Sequence, residues 1–192
     1  TMILPCLTYA CESWAWTAKH IRKLETTHFR FLRIIAGKSW RDHISYIELL
    51  NLVNKNSYNG NFEWADETNK ISGITSIETY CRLARLRYFG HLMRMPPTRL
   101  PKIMLHGEVD LGKRKIGRPK KSYLQSVHDD LKLFNLWNSY QKNGQFQKES
   151  AENRLLWRRQ INKAAQDFQA KWENNRTQCR KNQLNLSFQT IT

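Results

Sequence analysis

Residues 75–95, TSIETYCRLARLRYFGHLMRM, decide the fold. Ile77, Cys81, Ala84, Tyr88 and Leu92 recur at helical spacing as one apolar stripe, and Leu83, Leu86, Phe89 and Met93 form a second on the far side. A helix that is apolar on two faces is buried on two faces, so this segment is expected to run through the centre of the domain. Thr75 and Glu78 have capping-box spacing at its start, and Pro96 and Pro97 end it. Arg82, Arg85, Arg87 and Arg94 lie in the seams between the stripes. Arginines there either contact phosphate or snorkel and pair at the helix rim, and Arg87 and Arg94 are read as rim residues.

Other periodic segments have the same helical period. A first long helix is expected from about Ala18 to Ala36, with Thr17 as N-cap and Gly37 as terminator, carrying Ile21, Leu24, His28, Phe31 and Ile35 on one face. A shorter helix opens at Ser45, three residues before Glu48, and buries Ile47, Leu50 and Val53. Residues 54–74 are rich in Asn, Gly and acids and read as a loop-rich insertion. Ser122 with Gln125 starts another helix carrying Leu124, Val127, Leu131 and Phe134. A last helix from near Ser150 shows the stripe Trp157, Ile161, Ala164, Phe168 and Trp172 in a basic surround. Such a stripe either docks on a partner or packs on the domain's own core. The expected fold is therefore all-α, an irregular domain of about five helices. It divides into a helical domain over 1–136, a polar linker at 137–149, a basic amphipathic helix at 150–181 and a frayed tail at 182–192.

Between the third and fourth helices stands GKRKIGRPKK, residues 112–121, with six cations and no acid. Lys113, Arg114, Lys115, Arg118, Lys120 and Lys121 repel one another, and a polyanion relieves that repulsion with release of counterions. Gly117 permits close backbone approach, and Pro119 fixes φ and blocks a helix. The run reads as a nucleic-acid-binding arm, a solubilising loop or a nuclear-import signal. Arg154, Arg158 and Arg159 on the last helix are further candidates for nucleic-acid contact.

Whole-chain composition points the same way. The net charge is +16 over 192 residues, from 32 Lys+Arg against 16 Asp+Glu, which implies attraction to nucleic acid or an anionic surface. No apolar stretch approaches the ~20 residues that span a bilayer, so no membrane partner is expected. A start at Thr1 suggests a fragment or processed piece, and TMILPCLTYAC lacks the basic and apolar regions of a signal peptide. Cys6, Cys11, Cys81 and Cys179 form no C-x-x-C pair, and free thiols in the nucleus or cytoplasm are expected rather than secretion. Cys6, Cys11 and His20 match no common zinc spacing, so neither a metal nor another cofactor is expected. There is no phosphate-binding P-loop, nucleophile elbow or H-E-x-x-H run. Asp129 and Asp130 are adjacent, but neighbours on a helix point about 100° apart, which does not suit a two-metal site. No catalytic residue is assigned.

Five segments in order carry a resemblance. Tyr9, Glu12 and Trp14 form the first, and Trp40, Asp42 and His43 the second. Leu86, Arg87, Gly90, His91 and Arg94 form the third, Gly117, Arg118 and Pro119 the fourth, and Arg154, Trp157 and Arg158 the last. Together they resemble the region downstream of the polymerase domain in non-LTR (LINE-type) retrotransposon reverse transcriptases. Ala10 stands where that family usually has glycine, and Tyr46 where asparagine is usual. The aromatic-x-Asp-Asp turn of the polymerase is absent. What the resemblance implies is a non-catalytic helical accessory region that grips template RNA or target DNA, with an upstream polymerase domain of the same polyprotein as a further partner. An AT-hook-like DNA-binding module, with Ile116 where the hook core has arginine, and a decayed fragment without retained function are the alternative readings.

Overall fold

The computed structural model describes residues 3–58, 75–106, 122–137, 141–142, 145–146 and 149–189. The described chain is all-α: α1 (Ile3–Leu7), α2 (Ala18–Ile35), α3 (Tyr46–Tyr58), α4 (Ile77–Arg94), α5 (Leu100–His106), α6 (Tyr123–Leu133), α7 (Glu149–Glu152) and α8 (Arg154–Gln189). Single 3-10 turns sit at Cys11–Ser13 and Trp40–Asp42. The only sheet among the described residues is an antiparallel pair, with Gln141 opposite Phe146 and Lys142 opposite Gln145.

Helix α4 is central, as its two stripes require. One side packs Leu83, Leu86, Phe89 and Met93 against Val127 and Leu131 of α6, Phe134 just after it, and Trp157, Ile161 and Ala165 of α8. The other packs Ile77 and Cys81 against Cys11, Trp16 and Ile21. A third cluster joins Leu32, Leu49, Leu50, Val53 and Trp172. The stripe of α8 therefore faces the domain's own core, with Trp157 and Ile161 essentially inaccessible. Trp16 and Cys11 are likewise covered by the chain itself, while Tyr9 is exposed.

Local chemistry sets the helix ends. Gly37, at φ 63°, closes α2: its N–H donates to the Ile34 carbonyl, and the Lys38 N–H reaches back to Arg33. The Ser45 N–H donates to Glu48 Oε2 at 3.0 Å, and the Glu48 N–H donates to Ser45 Oγ at 3.2 Å. At α6 the Gln125 N–H donates to Ser122 Oγ at 3.1 Å.

Several boundaries differ from the sequence reading. The cap of α4 is Ser76, whose Oγ accepts from the Thr79 N–H at 3.2 Å, while Glu78 turns outward to pair with Arg82 at 2.6 Å. Gln169 of α8 fixes this start, its Oε1 accepting from the Ser76 N–H at 3.2 Å and from the Thr79 hydroxyl at 2.6 Å. Ile35 is 58% exposed, and Leu32 takes its place on the buried face beside His28. Helix α3 continues through 54–58 before the insertion, whose remaining residues lie outside the described part. The polar 137–149 stretch contains the two-residue strands, and Trp137 packs edge-on to His128 at 4.8 Å. Asn153 splits the terminal helix into α7 and α8, and α8 runs to Gln189 rather than fraying after Lys181.

An ion-pair cluster fastens α4 to α6. Asp130, 0% exposed, accepts from Arg82 and, at 2.8 Å, from Arg85 Nη1. Arg85, also 0% exposed, donates through Nη2 to the Trp14 carbonyl at 2.9 Å and lies 4.0 Å over the Trp16 ring. Two of the four seam arginines are thus structural, and Asp130 is their counter-ion.

Candidate nucleic-acid interface

Helix α4 places Arg87, His91 and Arg94 at i, i+4 and i+7, within about 60° of one another around its axis. Helix α8 places Arg154, Trp157 and Arg158 on its first turn and a half. That turn is built by Asn153, whose Oδ1 accepts from the N–H groups of Leu155 at 3.1 Å and Leu156 at 3.2 Å. The two helices meet closely because position 90 has no side chain. Trp157 fills the space above Gly90, and its indole N–H donates to the Leu86 carbonyl at 3.1 Å.

This contact gathers the six side chains around a cleft of about 310 Å³, lined by Arg87, His91, Arg94, Arg154, Trp157 and Arg158. No acid is among the described lining residues. Arg87 Nη2 donates to Asn162 Oδ1 at 3.1 Å, and Arg94 Nη1 donates to the Ala151 carbonyl at 2.9 Å. These bonds aim the guanidinium groups without neutralising them. Burial, then the field of Arg158, pulls Arg87 below the usual arginine value; burial and Arg154 do the same to Arg94. A cation whose charged form is disfavoured by burial and by a neighbouring cation gains from an anion. Guanidinium matches phosphate geometry with paired N–H donors.

A larger cleft, of about 1240 Å³, lies between α2, α3 and α8 and differs in its electrostatics. Half of its Lys and Arg side chains are matched by acids: of Arg22, Arg176, Arg180 and Lys181, Arg176 pairs with Glu25 at 2.6 Å and Arg180 with Glu48 at 3.3 Å. Size alone would favour that cleft, but uncompensated charge favours the smaller one.

Of the sequence-predicted site residues, Arg154 and Arg158 line the arginine cleft, whereas Arg159 is exposed on α8 and does not line it. Lys113, Arg114, Lys115, Gly117, Arg118, Pro119, Lys120 and Lys121 lie outside the described residues. Arg87 and Arg94 do find rim partners, as their seam position suggested, yet both also face the cleft. His91 and the wall role of Trp157 were missed; the i, i+4, i+7 spacing of Arg87, His91 and Arg94 was the available signal. No group of three or more His, Cys, Asp or Glu side chains that could hold a metal occurs among the described residues. No described helix is long and apolar enough to cross a membrane.

No protein family, curated protein or solved structure matches this chain.

Proposed function

We propose that this chain is a non-catalytic nucleic-acid-binding region, an accessory to a polymerase of the retrotransposon type its motif order resembles. The observation that carries the reading is the cleft between α4 and α8, where four arginines converge with no acid among the described lining residues. The net charge of +16 and the six cations of residues 112–121 support it, because both favour a polyanion through counterion release. Binding here is positional: guanidinium groups hold the phosphate backbone, and base identity is not read at the cleft. The chain itself performs no reaction in this reading. RNA, DNA or both are the ligands, and the polymerase lies elsewhere in the parent polyprotein.

The test separates arm from cleft. Neutralising Lys113, Arg114, Lys115, Arg118, Lys120 and Lys121 together should weaken binding to a labelled oligonucleotide strongly. The melting temperature should barely move, since a run of like charges adds little to folding. Arg154→Gln with Arg158→Gln should weaken binding further, in the same assay. Unchanged affinity in both variants would overturn the reading.

A further inference from the structure

Trp40 is 66% exposed, whereas Trp16, Trp157 and Trp172 are buried and Trp14 is 37% exposed. Its exposure is built, not incidental. Helix α2 ends in the Gly37 closure, and Ser39 then opens a 3-10 turn in which its N–H donates to Asp42 Oδ2 at 2.7 Å. The Arg41 N–H returns a contact to Ser39 Oγ at 3.4 Å. His43 closes the turn in the left-handed region at φ 48°, a conformation that a non-glycine residue adopts only at a cost of about 1 kcal/mol or more. Two caps and a strained closure hold the short turn that carries an indole packed in none of the three cores.

The surroundings select the ligand. The Arg41 guanidinium lies 5.6 Å from the Trp40 ring centroid. Arg41 is the cation placed at the ring; Arg30, Arg33 and Lys38 adjoin the turn in sequence, where Asp42 is the one acid between positions 30 and 43, and the Arg33 guanidinium lies over the Phe29 ring. An anionic ligand with a flat apolar face satisfies both features. A protein surface would leave the cations unmatched unless it were acidic. An unpaired base attached to its phosphate supplies the face and the charge together. We infer that the Trp40–Arg41 turn is a stacking platform for an unpaired base of single-stranded nucleic acid, with Arg41 beside the adjoining phosphate. This rests on the nucleic-acid reading and adds to it a second contact, of different chemistry from the arginine cleft.

The experiment compares two strands of equal charge. Fluorescence anisotropy is measured on a labelled thymidylate strand of about twelve nucleotides and on an abasic strand with the same phosphates. Trp40→Ala should weaken binding to the thymidylate strand about tenfold and leave the abasic strand unaffected, while Trp40→Phe keeps most of the affinity. Its melting curve should match the parent's, because the ring is exposed. Equal loss on both strands, or no loss on either, overturns the platform while leaving the nucleic-acid reading intact. Failure of the parent protein to bind either strand overturns that reading, and the platform with it.

Discussion

Gly90 and Trp157 share one space: a Cβ built on Gly90 would come within 2.2 Å of Trp157 Nε1. The indole is 1% exposed and is held from below by the Leu86 carbonyl, so it has no free direction of escape. Helices α4 and α8 approach only as far as this glycine lets them, and the arginines around the cleft converge because they do.

Gly90→Ala should therefore destabilise the fold by about 1–3 kcal/mol, the usual cost of overpacking a filled core. Thermal melting checks this directly. A variant that melts like the parent would mean that the α4–α8 contact is looser than the indole position implies.

Asp130→Asn should cost more, about 3–5 kcal/mol, because it leaves the buried Arg85 without its counter-ion. Chemical denaturation of the two proteins measures the difference. Asp129, its neighbour, accepts from Gln125 at 3.2 Å on the outer face, and Asp129→Asn should change stability far less.

Ala10 sits in the left-handed region at φ 55°. Relief of the Cβ clash there exceeds the extra chain entropy of glycine, so Ala10→Gly should stabilise by about 0.5–1 kcal/mol. A lower melting temperature for the variant would show that the backbone at this position is not strained.

Stability should fall in mild acid through His28. Burial lowers its pKa to about 4, and its Nδ1 lies 2.7 Å from the Tyr46 hydroxyl. Its contribution is complete above the unfolded value of about 6.5. It is lost between about 6.5 and 4, where the unfolded chain takes a proton that the native ring refuses, on the order of 3 kcal/mol over that window. Glu25 opposes this: burial pushes its carboxyl up against the pull of Arg176, so protonation favours the native state there. Comparing denaturation of the parent and His28→Gln from pH 7 to 4 isolates the histidine; parallel curves would contradict its assignment.

The sequence made the helices readable because their cores repeat at 3.6 residues, and α4 was recognisable as central from two stripes on one segment. The caps at Ser45 and Ser122 were legible from local spacing alone. The cap at Ser76 was not, since Thr75–Glu78 and Ser76–Thr79 both supply oxygens at capping spacing, and the second pair is held by Gln169 from a distant helix. The cleft was half legible. Arg154 and Arg158 stood out as basic residues on one helix face, but their convergence with Arg87 and Arg94 depends on the Gly90–Trp157 contact, between residues 67 positions apart in the chain. Pairing of Arg82 and Arg85 with Asp130 was hidden for the same reason: nothing local distinguishes a seam arginine with a distant carboxylate from one facing solvent.

The central claim is that this chain binds nucleic acid through charge, and the slope of log affinity against log salt tests it most directly. Engagement of about six phosphates predicts a slope near −4 to −5, depending on strandedness. Arg154→Gln with Arg158→Gln should make it shallower by about one to two. A slope indistinguishable from zero for the parent protein would contradict the account.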